Sequence, residues 1–237
     1  MSGKRLLIVN ADDLGLSPGV NAGIFEAHQR GIVTSTSLMV RAAAAAEAVA
    51  SASGHPRLAV GLHLDIAEWQ YEDGEWRVNY ERCQPDDAAA VEAECREQLA
   101  AFRELSGRDP THLDSHQHTH MSEPVASAAA SLAAELEVPL RARGIRYEGG
   151  FYGQSGKGES YPAGIEAEHL VALIEALPSG RTELGCHPGI GNDTGSSYAA
   201  ERELELRALC DPRVKAALER EEIKLCSFAQ ISSSPGR

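Results

Sequence analysis

Between Thr111 and His120 the chain carries His112, Asp114, His116, His118 and His120 at every second position. Alternate residues of an extended backbone point to one side, so this run predicts one face bearing four imidazoles and a carboxylate. The whole chain has 9 histidines, and clustering four of them at period two points to a metal or acid–base site rather than a polar loop. The run alone does not say which histidine would bind. Asp12-Asp13 follow the apolar run 6–9. An acidic pair there also suits a helix-capping turn. Beside a cation it offers more, because one carboxylate can bind while its neighbour stays ionised and free as a base. His63 ends another apolar run, and His187 sits in the turn Cys186-His187-Pro188-Gly189. Either one alone would read as an ordinary structural histidine. Two histidines and one carboxylate, with coordination positions left open for water, form a catalytic metal set. Zinc in such a set lowers the pKa of its water to roughly 7, and no Ser or Cys nucleophile is then needed.

The elements that must position these groups alternate. Strand-like runs cover 6–9, 33–40, 58–64, 111–115, 138–141, 182–186 and 223–228. Between them lie helical segments: one opened by Ser17 and Pro18 and closed by Gly31, then 41–53, 86–105 with Gly107 as its stop, 122–136, 165–177 and 198–221. About seven strands alternating with helical segments predict an α/β fold with a parallel sheet, either open or closed as a barrel. Two stretches, 66–85 and 144–164, show no periodicity and read as long loops at the C-terminal face of the strands, where such folds build their sites. The first carries Trp69, Tyr71, Trp76 and Tyr80, aromatic residues that suit a binding surface or anchoring of the loop.

Bulk properties exclude several classes. A chain of 237 residues suits one barrel domain, 1–237. A net charge of −13 without a basic stripe argues against nucleic acid, whose phosphates need clustered Lys and Arg. Five cysteines without a CxxC pair suit reduced thiols and a cytoplasmic location. No run approaches the ~20 apolar residues of a membrane span, and no GxSxG, Walker A or GxGxxG pattern occurs.

Taken together, Asn10-Ala11-Asp12-Asp13-Leu14-Gly15, Gly31-Ile32-Val33-Thr34-Ser35-Thr36, Gly61-Leu62-His63-Leu64, Thr111-His112-Leu113-Asp114-Ser115-His116 and His187-Pro188-Gly189 resemble the YdjC-like carbohydrate deacetylase family, which includes chitooligosaccharide deacetylases. The motifs occur in the family's order from residue 5 to about 190. Where the family usually has Phe this chain has Leu14, and where it has His this chain has Gln117; neither falls on a ligand position. The resemblance implies a distorted, incomplete TIM-like (β/α) barrel in a single domain. It implies one divalent metal ion, zinc or magnesium, bound by Asp13, His63 and His116. Asp12 is implied as general base and His187 as general acid.

On that reading the substrate is an N-acetylated sugar, and the products are acetate and an amino sugar. Asp114 would orient a histidine ligand, while His118, His120, Trp69 and Tyr71 would line the substrate pocket. Two other readings stand beside it: a phosphoesterase or amidohydrolase with two metals on a similar barrel, and a non-catalytic sugar-binding protein. The sequence names neither the sugar nor the metal, and it leaves a homo-oligomer open.

Overall fold

The computed structural model describes residues 3–72, 74–191, 193–194 and 198–231. Its centre is β1 (Arg5–Leu14), from which the rest of the sheet is built outward. On one side β1 pairs with β8 (Gly180–Cys186), and β8 with β7 (Arg146–Glu148). On the other, its first residues pair with β9 (Lys224–Leu225) and its last with β2 (Ser35–Leu38). Beyond β2 come β3 (Ala59–Leu64) and β6 (Leu113–Ser115). All these pairings are parallel, giving a seven-stranded sheet in the order β6-β3-β2-β1-β8-β7 with β9 beside β1.

The sheet curls until its two edges approach. Leu113 on β6 bridges Leu140, its amide donating to Pro139 and its carbonyl accepting from Arg141. Six residues after Leu140 the same segment has become β7 on the opposite edge. The chain thus spans the seam of an incomplete barrel. The strand expected at 138–141 is reduced to this bridge, because Pro139 has no N–H to donate. The seventh strand lies instead at 146–148, inside a stretch read as loop.

Alternation along β1 divides the core. Leu7, Val9 and Ala11 join the large apolar cluster shared with the helices. That cluster seats α1 (Pro18–Arg30), α2 (Ala45–Ala52), α3 (Ala88–Ser106), α4 (Val125–Leu136), α5 (Ala167–Glu175), α6 (Ala199–Leu209) and α7 (Pro212–Arg220) against the outside of the barrel. Ser17 caps α1 by accepting from the Val20 amide, and Gly107 ends α3 with φ 68°. The helix expected over 198–221 is two helices: Pro212 stops the first, and Asp211 caps the second by accepting from Arg213.

The other face of β1, Ile8, Asn10 and Asp12, looks into the barrel. Ile8, Ala59, Ile145, Phe228 and Ile231 close its floor. His112 stacks on Phe228 at 3.9 Å with ring planes 17° apart. Gly61 makes room for this ring: a Cβ there would lie 2.4 Å from it. Truncating the fully buried Phe228 to Ala removes the floor and the stacking partner together. Phe228→Ala is expected to lose about 3–5 kcal/mol of stability, read by chemical denaturation; a loss below about 1 kcal/mol would mean the floor is not a packed layer.

Candidate functional site

Above the floor the barrel interior turns polar, and one side chain organises it. Arg141, on the seam-spanning segment, is fully enclosed (1% exposed). Its Nη1 and Nη2 donate to Asp12 Oδ2 and Oδ1, both at 2.6 Å, and Nε donates to Glu183 Oε1 at 2.7 Å. Nη2 also lies 2.9 Å from Asp114 Oδ2. Burial opposes ionisation of Asp12, yet the Arg141 charge and hydrogen bonds outweigh it and hold the carboxyl below its usual range. Asn10 Nδ2 adds a bond to Asp12 Oδ1 at 2.8 Å, and Ser37 Oγ donates to Asp114 Oδ2 at 2.8 Å.

Asp12 and Asp13 are neighbours, so a regular strand would turn them to opposite faces. Both line the same cavity because β1 is irregular between Ala11 and Leu14 and Asp13 takes φ 67°. A left-handed conformation at a non-glycine residue costs on the order of 1–3 kcal/mol, so the surrounding contacts must hold it in place. Arg202 on α6 supplies one, donating from Nη2 to Asp13 Oδ2 at 2.6 Å. Asp13 Oδ1 faces His63 Nε2 at 3.3 Å and His116 Nδ1 at 3.2 Å. Asp13, His63 and His116 thus form a group whose ligand atoms lie within 4.8 Å of one another. The set fits a divalent cation by donor type. His63 is fixed from behind, its Nδ1 2.8 Å from Asp114 Oδ1.

His187 follows β8, with Nε2 3.8 Å from Asp12 Oδ2 and Nδ1 3.7 Å from Glu205 Oε1. Burial disfavours its charged form, but the negative charge of the nearby Glu205, with Asp12 and Asp13 beyond it, outweighs that and raises its pKa. The Tyr198 hydroxyl in turn donates to Glu205. The turn carrying His187 sits close on α1: a Cβ on Gly23 would lie 2.4 Å from Gly189.

The row of side chains expected along 112–120 does not exist as one face. The strand ends at Ser115, and residues His116–Met121 form a tight 3-10 turn with Gln117 and His118 at φ 49° and 55°. The turn separates the histidines. His112 lies in the barrel floor, where burial pushes its pKa down to about 4, so it is neutral at neutral pH. His116 faces Asp13, and His118 lines the cavity beside the Tyr147 hydroxyl at 3.3 Å. His120 is not part of the described cavity wall; its ring is buried, with Nδ1 2.6 Å from Ser115 Oγ.

The stretch 66–85 is likewise not a loop. It holds an antiparallel hairpin of β4 (Ala67–Glu72) and β5 (Glu75–Glu81) turning at Gly74, φ 88°. Gln117 fastens it, donating to the Trp69 carbonyl at 2.8 Å and accepting from the Trp69 amide at 2.9 Å. Glu68 reaches from the hairpin to 3.2 Å from His116 Nε2. Trp69, Tyr71 and Trp76 line a cavity of about 920 Å³ that opens above Asp12, Asp13, His63, His116 and His187, with Tyr147 and Tyr152 on other parts of its wall. Tyr80 also lines it, but its hydroxyl is spent on Asp65 at 2.8 Å. Sequence reading missed Arg141, Glu183, Arg202, Glu205 and Glu68. The signal for Glu183 was a charge in the middle of a strand, directly before Leu184-Gly185-Cys186, and for Arg141 a charge directly after Val-Pro-Leu.

The family model of the YdjC-like proteins matches residues 6–220. A carbohydrate deacetylase of Geobacillus stearothermophilus is 34% identical over 96% of this chain and 98% of its own length. A chitooligosaccharide deacetylase of Klebsiella pneumoniae (strain 342) is 33% identical over 96% and 100%. Among solved structures, an Enterococcus faecalis V583 protein provisionally described as a cellobiose-phosphate cleavage protein superposes with a TM-score of 0.81 at 27% identity, covering 97% of this chain and 100% of that one. A family 4 carbohydrate esterase from Streptomyces lividans, in complex with acetate, shares the fold with a TM-score of 0.56 at 13% identity over 95% and 93%.

Glu183 gives the barrel interior a pH signature. Burial pushes its pKa up from 4.5 to about 7, against the pull of Arg141. The folded chain therefore binds this proton more tightly than the unfolded one. The associated stability is complete below pH ~4.5 and is lost as pH rises through about 7. Glu183→Gln, which cannot ionise, is expected to gain on the parent by about 3 kcal/mol across that window. Denaturation curves from pH 4.5 to 8 test this; parallel pH profiles for the two proteins would refute it.

Proposed function

The chain belongs to the YdjC-like family, and from that premise we propose that it is a metal-dependent carbohydrate N-deacetylase, releasing acetate from an N-acetylated amino sugar. The observation that carries the reading is the opposition of Asp12 and His187, 3.8 Å apart, beside the group Asp13, His63 and His116.

In this reading Asp13, His63 and His116 hold one divalent cation. Zn²⁺ or Mg²⁺ there would polarise the amide carbonyl and acidify water, with zinc bringing the water's pKa to roughly 7. That help is needed, because Asp12 is held below the ordinary carboxylate range and is too weak a base for bulk water. Asp12 takes the proton of the attacking water while Arg141 keeps its carboxylate fixed. His187, whose pKa the neighbouring Glu205 raises, gives a proton to the departing amine, which leaves poorly as an anion. Asp114 fixes the His63 ring and its tautomer. Trp69, Tyr71 and Trp76 offer faces for sugar rings, with His118 beside them.

Arg141 also favours one metal over two. A second metal-capable group, Asp12, His63 and Asp114, already has both carboxylates joined by the Arg141 guanidinium. This weighs against a two-metal phosphoesterase or amidohydrolase. The paired acid and base weigh against a purely sugar-binding role. No helix among the described residues is long and apolar enough to cross a membrane.

Acetate release from a panel including diacetylchitobiose, measured on chelated protein and again after adding Zn²⁺, Mg²⁺ or Co²⁺, tests the proposal. Metal-restored release is expected. A protein that binds one metal tightly but releases no acetate from any member would move the reading to another hydrolysis. Asp12→Asn is expected to keep its metal and lose about 10²–10⁴-fold in kcat, whereas His116→Ala should lose metal and turnover together. Near-normal turnover in Asp12→Asn would remove Asp12 from the base role.

A further inference from the structure

Glu183 belongs to none of the groups given a role above. It lies in the middle of β8, is 0% exposed, and sits opposite Ile8 of β1 and Tyr147 of β7 in the sheet. Its one hydrogen bond is the 2.7 Å contact from Arg141 Nε; Oε2 has no protein partner among the described residues. A buried carboxylate satisfied at a single oxygen is poor for stability, so a reason beyond packing is called for.

That reason lies in the fork of the guanidinium. Arginine presents its donors in a rigid plane, so fixing Nε fixes the direction of both Nη groups. With Nε tied to Glu183, Nη1 and Nη2 must face Asp12 together, each at 2.6 Å. Without that tie, Asp114, 2.9 Å from Nη2, would compete with Asp12 for the fork. The charged and titratable groups facing Glu183 are Arg141, Asp114 and Asp12, with the Tyr147 and Cys186 side chains beside it.

We propose that Glu183 is a positioning residue for the deacetylation, holding the Arg141 guanidinium in the orientation that presents Asp12 to the substrate. The proposal rests on the deacetylase reading. A carbonyl oxygen accepts from Nε as well as a carboxylate does, so the role needs an acceptor at this point rather than a charge.

The test compares Glu183→Gln, which keeps the acceptor, with Glu183→Leu, which removes it at similar volume. Glu183→Leu is expected to lose about 10- to 100-fold in kcat with KM within about twofold and bound metal unchanged, while Glu183→Gln stays within about threefold of the parent. A second readout needs no substrate. In ¹⁵N NMR the Nη hydrogens of Arg141, assigned by their loss in Arg141→Lys, should give resolved signals in the parent and in Glu183→Gln and averaged ones in Glu183→Leu. If Glu183→Leu turns over normally per folded molecule, or if Glu183→Gln falls as far as Glu183→Leu, the positioning role is wrong. If Glu183→Leu does not fold, Glu183→Gln still decides, since loss of its resolved signals overturns the role. A parent protein that releases no acetate, with the NMR pattern as expected, would sink the deacetylase reading and leave the Glu183–Arg141 anchor standing.

Discussion

A single guanidinium inside the barrel makes the polar interior affordable. Asp12, Asp114 and Glu183 all reach Arg141, and without it three acidic groups would share one enclosed space. Removing one partner of a buried pair destabilises by roughly 3–5 kcal/mol because the other is left uncompensated. Here several partners would be stranded at once. The seam segment that closes the barrel is also the one that brings Arg141 in, so closure of the fold and neutralisation of its centre are one event. A parallel array usually fills its interior with branched apolar side chains. This one confines them to a floor around Phe228 and gives the remaining space to ion pairs and hydrogen bonds.

Much of the fold was legible because its signals are local. Apolar runs marked six of the seven strands of the sheet, and Ser17, Gly31 and Gly107 marked helix ends where the structure has them. The failures also have local causes. Pro139 reduced an expected strand to one bridge, and Pro212 divided an expected helix. The hairpin at 67–81 did alternate, with Trp69 and Tyr71 on one strand and Trp76, Val78 and Tyr80 on the other. Its aromatic residues do share a face, with Trp69 opposite Val78 and Tyr71 opposite Trp76, but that face borders an open cavity and leaves Trp76 and Val78 exposed, so it lacks the run of buried apolar residues by which a core strand is recognised.

The site was legible to a different degree. Residue types and strand ends drew attention to Asp12, Asp13, His63, His116 and His187, and the structure gathers them around one cavity. Period two misled within the histidine run, because two left-handed residues end the strand and send each ring a separate way. Arg141, Arg202 and Glu205 escaped notice for a physical reason. Arg141 and Arg202 lie far along the chain from the carboxylates they meet, and Glu205 sits on a helix after His187, so only strand pairing and the curl of the sheet reveal these contacts.

The hairpin stands apart from the rest in how it is held. It has its own antiparallel ladder, shares no strand pairing with the barrel among the described residues, and meets the histidine turn through the two backbone bonds of Gln117 and the contact of Glu68 with His116. The Gln117 bonds read the Trp69 backbone and not its side chain. Trp69, Tyr71 and Trp76 can therefore be exchanged without breaking those bonds, whereas Tyr80 is tied to Asp65, directly after β3. The wall of the cavity is thus shared between an added two-stranded module and the barrel rim. Such a division lets one part of the cavity wall be rewritten over a stretch of about fifteen residues while the strand ends of the barrel stay as they are.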